Sequence, residues 1–256
     1  MVRPPNIPPK VIAAIPAYNE ERRIGDLVII TRKYVSQVIV IDDGSTDETC
    51  RAANASGALV LRHRVNKGYG EAIRHCFEAA KENGGDVLVT LDGDGQHDPS
   101  EIPMLVGPIL KNEANLVIGS RLLKPVSRQT NMPMYRKFGI AFITMLFNIG
   151  SRVRVSDAQS GFRAYDRRIL DNISLTETGM AVSVEVIVKA REKGFVIREV
   201  PISCRYDSQS STFNPVGHGL GVALALVKLR SESLLNRLGE KNSASGRSAS
   251  PPTPHT

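Results

Sequence analysis

Short β-branched runs alternate with helical patterns along the first 120 residues, and this alternation constrains the fold more than any other feature of the chain. Val11–Ala17 and Val38–Ile41 are two such runs, and Glu20–Tyr34 between them carries apolar residues at helical spacing. Uninterrupted apolar runs of this length are typical of parallel strands that are buried on both faces of a sheet. The segment therefore predicts a βαβ unit.

The same alternation continues along the chain. It predicts helices over Asp47–Ala55, Gly70–Glu82 and Pro99–Lys111, and strands over Ala58–Leu61, Val87–Leu91 and Leu116–Gly119. Five strands with intervening helices predict an α/β fold in which a doubly wound, mostly parallel sheet has helices on both faces. Beyond residue 121 we expect a helix over Val182–Lys193 and a strand within Phe195–Arg205.

Length and composition indicate how the chain is divided. A chain of 256 residues with 41% hydrophobic and 23% charged residues has enough apolar material for one large core. We expect one domain over residues 10–210, preceded by a disordered segment over 1–9. An amphipathic helix over 216–240 and a disordered, Ser- and Pro-rich tail over 241–256 would follow it.

The three cysteines and the absence of long apolar runs bear on location. Cys50, Cys76 and Cys204 are far apart and form no C-x-x-C pair, which indicates neither a disulfide framework nor a zinc site. This favours a reducing, cytoplasmic setting. The N-terminus lacks the apolar run of a signal peptide, and no window of about 20 apolar residues predicts a transmembrane helix.

The formal charge of +7 has a definite place in the chain. Seven Lys or Arg and no Asp or Glu lie between Arg121 and Arg154, whereas elsewhere 26 basic residues balance 26 acidic ones. The same window contains the uncharged stretch Phe138–Ile149, which has basic residues on both sides and is too short to span a bilayer. We interpret it as a helix in the interface of an anionic membrane, with a buried helix as the alternative.

Polar residues follow several predicted strands, at the edge where parallel sheets bind ligands. Pro16–Glu20 follows the first strand, Asp42–Ser45 the second, Asp92–Gln96 the fourth and Ser120-Arg121 the fifth. The first turn lacks the G-x-G-x-x-G of dinucleotide-binding folds, and the chain has no phosphate-loop motif. The acidic run after the fourth strand also fails to match an EF-hand calcium loop.

The D-x-D pattern after the fourth strand has one surviving explanation. Asp92 and Asp94 lie on the same side if the strand continues through them, and Gln96 adds a neutral oxygen two residues further on. Mg²⁺ and Mn²⁺ bind one or two carboxylates and complete their coordination with substrate phosphates. The pattern therefore predicts a divalent cation that bridges the protein to a diphosphate.

Six short motifs occur in order along the chain. They are P-A-Y-N-E-E (16–21), D-D-G-S-T-D (42–47), N-K-G-Y-G-E-A (66–72), L-D-G-D-G-Q-H-D-P (91–99), G-S-R (119–121) and D-A-Q-S-G-F-R-A-Y (157–165). This order resembles the signature of family 2 glycosyltransferases with a GT-A fold, and is most similar to the dolichyl-phosphate mannose and glucose synthase branch. The resemblance implies metal-dependent transfer of a hexosyl group from GDP-mannose or UDP-glucose to a polyisoprenyl phosphate, with Mg²⁺ or Mn²⁺ as cofactor.

The resemblance also implies roles for individual residues. The nucleotide-sugar pocket would be formed by Pro16, Ala17, Tyr18, Glu20, Ile41, Asp43, Lys67, Asp92 and Gly93. The metal ligands would be Asp92, Asp94 and Gln96, and the catalytic residues would be Arg121, Asp157 and Arg205. The acceptor segment would be residues 122–154, and the acceptor-binding residues would be Arg121, Arg136, Phe138 and Phe142.

The acceptor phosphate would itself be the nucleophile in this reaction. A phosphate monoester is largely ionised at neutral pH, so a strong general base is unnecessary. Arg121 and Arg205 would position the acceptor and offset the repulsion between two anions. Asp157 would either assist as a carboxylate or orient Arg163 and the turn before it.

Several polar residues also have structural interpretations. We expect Asp42 to form a turn and His97 to be a hydrogen-bonded structural group. Glu185 is interpreted as the partner of a nearby arginine rather than as a carboxylate of the site.

Two other functions remain open. A family 2 enzyme acting on a soluble or cell-surface saccharide would need Asp157 as a base, although the Q-x-x-R-W motif of processive synthases is excluded in a chain without Trp. A non-catalytic sugar-nucleotide-binding protein is a remote alternative, since Asp92, Asp94 and Gln96 are intact. Nucleic acid is not an expected partner, because the ligand-binding edge is acidic.

The expected partners follow from this interpretation. They are a nucleotide-diphosphate sugar, a polyisoprenyl phosphate and an anionic membrane surface, with a separate membrane-anchor protein as a further possibility. The protein would be cytoplasmic and peripheral, bound to the cytoplasmic face of the membrane.

Overall fold

A computed structural model describes residues 8–123, 134–149 and 154–205. The predicted helix over 216–240, the tail over 241–256 and most of the segment over 1–9 lie outside these residues. The same is true of residues 124–133 and 150–153 of the expected acceptor segment.

Strands and helices alternate through the first 120 residues as expected. The strands of the described residues are β1 (Val11–Ala17), β2 (Gln37–Asp42), β3 (Leu59–Arg62), β4 (Val87–Thr90), β5 (Leu116–Ser120), β6 (Arg163–Asp166) and β7 (Ile197–Pro201). The helices are α1 (Ile24–Thr31), α2 (Thr49–Ala55), α3 (Tyr69–Glu82), α4 (Ile102–Leu110), α5 (Met134–Asn148), α6 (Arg167–Asn172) and α7 (Val182–Glu192).

The strands form one mostly parallel sheet in the order β3-β2-β1-β4-β6-β5-β7. β6 is the exception, because it runs antiparallel between β4 and β5, with Arg163 opposite both Thr90 and Ile118. The α/β fold and the mostly parallel sheet are therefore confirmed. β6 and the short α6 were not predicted, since a four-residue strand that begins with a charged residue lacks the apolar run expected of a central strand.

Alternate residues of the central strands face two separate cores. Ile12 and Ala14 of β1 pack with α3, α5, α6 and α7, whereas Ala13 and Ile15 pack with α1, α2 and α4. Helices thus cover both faces of the sheet, as the doubly wound interpretation requires. Some of the helices are shorter than the sequence predicted. Pro99–Glu101 forms a separate 3-10 turn before α4, and α1 begins only at Ile24.

Helix α5 contains the uncharged apolar stretch and has two different faces. Its inner face, formed by Ile140, Ile143, Thr144 and Phe147, is buried. Its outer face exposes large apolar side chains at helical spacing, namely Met134, Phe138, Phe142 and Met145, and Ile149 just after the helix is exposed as well. The buried and the exposed interpretations each describe one side of this helix. No helix of the described residues is long and apolar enough to cross a membrane.

Candidate active site

The ends of β1, β2 and β4 meet at one edge of the sheet and bring the expected nucleotide-pocket residues together. The backbone N–H of Asp43 donates to the Ala17 carbonyl at 2.9 Å. Gly93 lies so close to β1 that a Cβ there would be 3.0 Å from the Pro16 carbonyl oxygen. Tyr18 is exposed beyond β1. Ile41 is an exception, because its side chain is fully buried in the core below this edge.

Asp43 organises the loop that leads into α3. Its carboxylate accepts hydrogen bonds from the backbone N–H of Lys67 at 2.9 Å and of Gly68 at 2.8 Å. His63 Nδ1 lies 2.6 Å from the same carboxylate, and His63 Nε2 lies 3.0 Å from Nδ1 of His75. Lys67, expected on the nucleotide side, meets Asp43 through its backbone, and its side chain is exposed.

Asp42 has the structural role that the sequence indicated. Its Oδ1 accepts a hydrogen bond from the backbone N–H of Ser45 at 2.9 Å, which closes the turn after β2. Arg62 Nε lies 3.1 Å from the other carboxylate oxygen. The turn is therefore held by a buried carboxylate with two partners.

Asp92 and Asp94 lie beyond the end of β4. The hydroxyl of Tyr69 donates to Asp92 Oδ1 at 3.0 Å. Asp94 Oδ1 accepts from the backbone N–H of Gln96 at 3.0 Å, and Arg23 Nη1 donates to the Asp94 carbonyl at 2.6 Å. The first two metal ligands implied by the resemblance are thus held in a short, tightly bonded turn.

Burial and, for Asp94 and Glu20, neighbouring carboxylates disfavour the charged forms of the acidic residues at this edge. Burial raises the pKa of Asp92, and burial together with the charge of Asp92 raises the pKa of Asp94. Burial and the charge of Asp94 raise the pKa of Glu20 to about 7. Carboxylate oxygens that repel one another in a partly buried crevice fit a hard divalent cation, since such a cation would relieve that repulsion.

The remaining groups of the acidic turn are less well placed to bind a cation. Gln96 Oε1 accepts a weak hydrogen bond from the Cys204 thiol at 3.7 Å. His97 Nδ1 is buried without a hydrogen-bond partner, 3.9 Å from Asp92 Oδ2, so its expected hydrogen bond is absent in the described structure. Burial lowers the pKa of His97 to about 4, so the ring is neutral at physiological pH. Within the described residues, no three His, Cys, Asp or Glu side chains could hold a metal among themselves.

Arg121 and Asp157 form a two-point ion pair at the end of β5. Arg121 Nε donates to Asp157 Oδ2 at 2.7 Å, and Nη2 donates to Oδ1 at 2.9 Å. Burial alone would raise the pKa of Asp157, but the guanidinium beside it outweighs burial and holds that pKa below its usual range. Asp157 is therefore an ionised partner of Arg121.

Arg163 is not the partner of Asp157, which corrects the second interpretation of that carboxylate. Its buried guanidinium donates to three backbone carbonyls, those of Ala158, Ser160 and Ser183, at 2.6 to 2.8 Å. Arg163 thus fixes the turn before β6 directly. Asp157 has no part in these bonds.

Glu199 was missed by sequence reasoning, although it supports the catalytic candidates. Its carboxylate accepts from the backbone N–H groups of Ser156 at 2.7 Å and Asp157 at 3.1 Å. Burial raises its pKa. Glu199 lies in the alternating run that predicted β7, but alternation reports only which face a residue occupies and not what it binds.

Arg205 lies beside the acidic turn, on the exposed surface. Its backbone N–H donates to the Gln96 carbonyl at 2.9 Å, and the preceding Cys204 forms a β-bridge with His97. The two arginines that were expected to hold phosphates therefore follow strands of the same edge, Arg121 after β5 and Arg205 after β7.

Helix α5 is fastened to the segment that carries Asp157. Asn148 exchanges two hydrogen bonds with the backbone of Val155, at 2.7 and 3.0 Å. The backbone N–H of Ala158 donates to Thr144 Oγ1 at 3.3 Å. Phe138 and Phe142 lie on the exposed face. Arg136 is part of α5, but its side chain lies outside the described structure.

Glu185 serves a neighbouring loop and pairs with a lysine rather than with the expected arginine. It lies 2.6 Å from Nζ of Lys189. It also accepts from the backbone N–H groups of Thr176 and Glu177, at 2.8 and 3.0 Å. Glu185 therefore anchors the loop before α7 and is not a carboxylate of the crevice.

Comparison with known proteins decides the family. The model of glycosyl transferase family 2 matches residues 12–174. The chain belongs to glycosyl transferase family 2. This confirms that it is a glycosyltransferase, as the six motifs and their order indicated.

Relatives of this family 2 enzyme include proteins of the expected branch. UDP-N-acetylglucosamine–dolichyl-phosphate N-acetylglucosaminyltransferase of Methanococcus voltae is 32% identical over 219 residues, which cover 77% of this chain and 86% of that protein. Undecaprenyl-phosphate mannosyltransferase of Micrococcus luteus is 33% identical over 205 residues, with coverage of 76% and 83%. The similarity to the polyisoprenyl-phosphate branch is thereby confirmed.

A solved structure supports the fold. Glucosyl-3-phosphoglycerate synthase of Mycobacterium tuberculosis matches with a TM-score of 0.67 at 23% identity, over 86% of this chain and 80% of that one. A crystal structure of that synthase has also been solved in complex with Mn²⁺, UDP-glucose and phosphoglyceric acid. At this level of identity, the likeness establishes a shared fold.

Proposed function

We propose that the enzyme transfers a hexosyl group from a nucleotide-diphosphate sugar to a polyisoprenyl phosphate at a membrane surface. One observation carries this proposal. Helix α5 exposes large apolar side chains at helical spacing, and it is hydrogen-bonded to the segment that holds Asp157 against Arg121. A surface that can hold a lipid chain is thereby joined to the arginine that can hold its phosphate.

Asp92 and Asp94 would hold the divalent cation, Mg²⁺ or Mn²⁺. Bound there, the cation would neutralise the diphosphate leaving group. Burial and the charge of Asp92 raise the pKa of Asp94, and this supports the assignment because a cation between the two carboxylates would relieve their repulsion. Because two protein carboxylates leave most of the coordination shell open, the donor diphosphate would supply further oxygens.

The donor would lie along the edge formed by β1, β2 and β4. Tyr18 is exposed there and Glu20 is half-buried, so both can contact a nucleotide. Asp43 would act by holding the loop at Lys67 and Gly68, because its carboxylate accepts hydrogen bonds from their backbone N–H groups. The base and the sugar, GDP-mannose or UDP-glucose, are distinguished by the first experiment below.

The acceptor phosphate would be held by Arg121, with Arg205 as a second cation. Its oxygen attacks the anomeric carbon of the donor while the bond to the diphosphate breaks. The phosphate is already ionised, so no side chain has to remove a proton. The pairing of Asp157 with Arg121 agrees with this, because a carboxylate with a lowered pKa that is held in an ion pair is a poor base.

The membrane contact would be made by the exposed face of α5 and the basic residues around it. The window from Arg121 to Arg154 has seven positive charges and no negative one. Such a segment is attracted to anionic lipids, which are enriched in the cytoplasmic leaflet. We therefore place the enzyme on the cytoplasmic face as a peripheral protein. A separate membrane-anchor protein would be compatible with this mode of binding.

A transfer assay tests the function. The protein is incubated with radiolabelled GDP-mannose, UDP-glucose or UDP-N-acetylglucosamine, with dolichyl or undecaprenyl phosphate, and with Mg²⁺, Mn²⁺ or a chelator. We expect lipid-linked product with one donor, loss of product with the chelator, and loss with Asp94→Ala. Transfer to an oligosaccharide but never to lipid phosphate would instead establish the saccharide-acceptor alternative.

Flotation with vesicles tests the membrane contact. The double variant Phe138→Ser/Phe142→Ser should lose binding to vesicles that contain anionic phospholipid. Ile29→Ser/Ile30→Ser is the control, because these are two exposed apolar residues on α1. Equal flotation of the wild type and the α5 variant would contradict the proposed contact.

A further inference from the structure

A three-residue segment joins two of the acidic clusters at the active edge, which is the edge of the sheet where β1, β2 and β4 end. Asp43 accepts hydrogen bonds from the backbone N–H groups of Lys67 and Gly68. The next residue, Tyr69, donates its hydroxyl hydrogen to Asp92 Oδ1 at 3.0 Å. The segment from Lys67 to Tyr69 therefore runs from the carboxylate after β2 to the carboxylate after β4.

The backbone of this segment is held in place on its other side. Gly68 has φ +93°, a conformation that only glycine adopts without strain. Gly70 N–H donates to the Thr178 carbonyl at 3.0 Å, and a Cβ at Gly70 would lie 2.4 Å from the Glu177 carbonyl oxygen. Glu185 in turn fixes the loop at Glu177. The backbone on both sides of Tyr69 is thus fixed, and this holds its hydroxyl beside Asp92.

The Asp92 carboxylate is also confined by its other neighbours. Both of its oxygens lie 2.5 Å from the position that a Cβ on Gly161 would occupy, so the carboxylate packs directly on that glycine. Thr90 Oγ1 donates to the Gly161 carbonyl at 2.8 Å and fixes this wall. Oδ1 accepts from Tyr69, whereas among the described residues no hydrogen bond reaches Oδ2, and His97 Nδ1 lies 3.9 Å from it.

We propose that Tyr69 is a positioning residue that sets the orientation of the Asp92 carboxylate and so leaves Oδ2 as the oxygen that binds the divalent cation. This inference rests on the proposed function, because it takes Asp92 as a metal ligand. Groups that hydrogen-bond to metal ligands orient those ligands, and their loss typically weakens metal binding by about 10- to 100-fold. Tyr69 was not among the predicted site residues, although it lies within the N-K-G-Y-G-E-A motif.

Titration with Mn²⁺, followed by electron paramagnetic resonance, tests this role in the full-length protein in the presence of UDP or GDP. Tyr69→Phe removes one hydroxyl and keeps the ring. We expect the dissociation constant for Mn²⁺ to rise about tenfold. Tyr34→Phe is the matched control, since Tyr34 is a partly exposed tyrosine just after α1, and we expect it to bind Mn²⁺ like the wild type.

The outcomes separate the inference from the proposed function. Unchanged or tighter Mn²⁺ binding by Tyr69→Phe overturns the inference, even where its melting temperature falls, because the hydroxyl would then have only a structural role. A wild-type protein that binds no Mn²⁺ with either nucleotide overturns the metal-dependent function itself. In steady-state kinetics, the inference also requires a higher Mn²⁺ concentration at half-maximal rate for Tyr69→Phe, with the maximal rate restored at saturating metal.

Discussion

Asp157 holds Arg121 by both carboxylate oxygens, and the pair lies where β5 reaches the active edge. Asp157 is fully buried, whereas the Arg121 side chain keeps 13% of its surface exposed. The carboxylate therefore fixes a guanidinium whose remaining surface can meet an anionic ligand. This arrangement separates the two roles considered for Asp157, since a group that positions Arg121 need not exchange protons with the acceptor.

Replacing Asp157 by Asn tests that separation. Asp157→Asn replaces one of the two carboxylate oxygens that hold the Arg121 guanidinium, so we expect the KM for polyprenyl phosphate to rise about tenfold while turnover remains measurable. Breaking a buried ion pair should also lower the free energy of unfolding by about 3 kcal/mol, measured by urea denaturation. Asp171→Asn, which breaks the exposed pair with Arg167, should cost less than about 0.5 kcal/mol. A fall in turnover of about a hundredfold or more with unchanged KM would instead identify Asp157 as a base.

Glu199 should be needed to hold the backbone at Ser156 and Asp157, and so to keep Asp157 beside Arg121. Glu199→Ala leaves the backbone N–H groups of Ser156 and Asp157 without their acceptor, and we expect unfolding to become easier by about 2 to 3 kcal/mol. Transfer activity should fall with it. Glu113→Ala is the control, since Glu113 forms an exposed pair with Arg198, the neighbour of Glu199 in β7. Equal effects of the two substitutions would show that Glu199 is a surface group.

Glu20 should make stability depend on pH in the absence of a divalent cation. Its pKa is raised from 4.5 to about 7, so between these values the folded protein binds more protons than the unfolded chain. The contribution of Glu20 to the free energy of unfolding is therefore fully present below about pH 4.5 and is lost as the pH rises through 7. We expect Glu20→Gln to be more stable than the wild type at pH 8, by about 1 to 2 kcal/mol, because the half-exposed side chain is partly screened by solvent.

Thermal denaturation in a chelating buffer at pH 4.5 and pH 8 measures this effect. The two proteins should differ least at the lower pH, where Glu20 is protonated in the folded state. Glu192→Gln, at an exposed position, should follow the wild type at both values. A constant difference between Glu20→Gln and the wild type at the two pH values would refute the assignment.

Gly161 should tolerate no side chain. A methyl group there would meet both oxygens of Asp92 at 2.5 Å, so we expect Gly161→Ala to displace that carboxylate and to weaken Mn²⁺ binding at least tenfold. Gly107→Ala is the control, because the added methyl group would meet no atom within 4 Å other than its chain neighbours and its own helix backbone, and the residue lies in α4, away from Asp92. That substitution should leave Mn²⁺ binding as in the wild type.

The local pattern of apolar residues predicted the central parallel strands and the polar residues that follow them. β1, β2 and β4 are buried on both faces, so their apolar runs stood out, and the polar residues that follow them were correctly placed at one edge. β6 could not be recognised in this way. Its first residue, Arg163, is charged and yet buried, and its burial is made favourable by three backbone carbonyls, two in the turn before β6 and one in α7.

The contacts within the site depend on pairings that no periodicity encodes. Arg121 and Asp157 are 36 residues apart, and Tyr69 and Asp92 are 23 apart. The pairs meet because the segments that follow β3, β4 and β5 and the segment that precedes the antiparallel β6 lie at the same edge of the sheet, and the side chains are long enough to bridge them. The motifs identified which residue types belong to the site, but which carboxylate serves which arginine was decided by the tertiary structure.

The antiparallel direction of β6 has a consequence for how such enzymes can diversify. The chain leaves the sheet at the end of β5 and returns at the start of β6, and because these strands run in opposite directions both points lie at the same edge. The connection between β5 and β6, which includes α5, is therefore an excursion that starts and finishes at the edge where we propose that the donor binds. Such an excursion can be lengthened, shortened or exchanged for one that suits another acceptor without altering β1, β2 or β4.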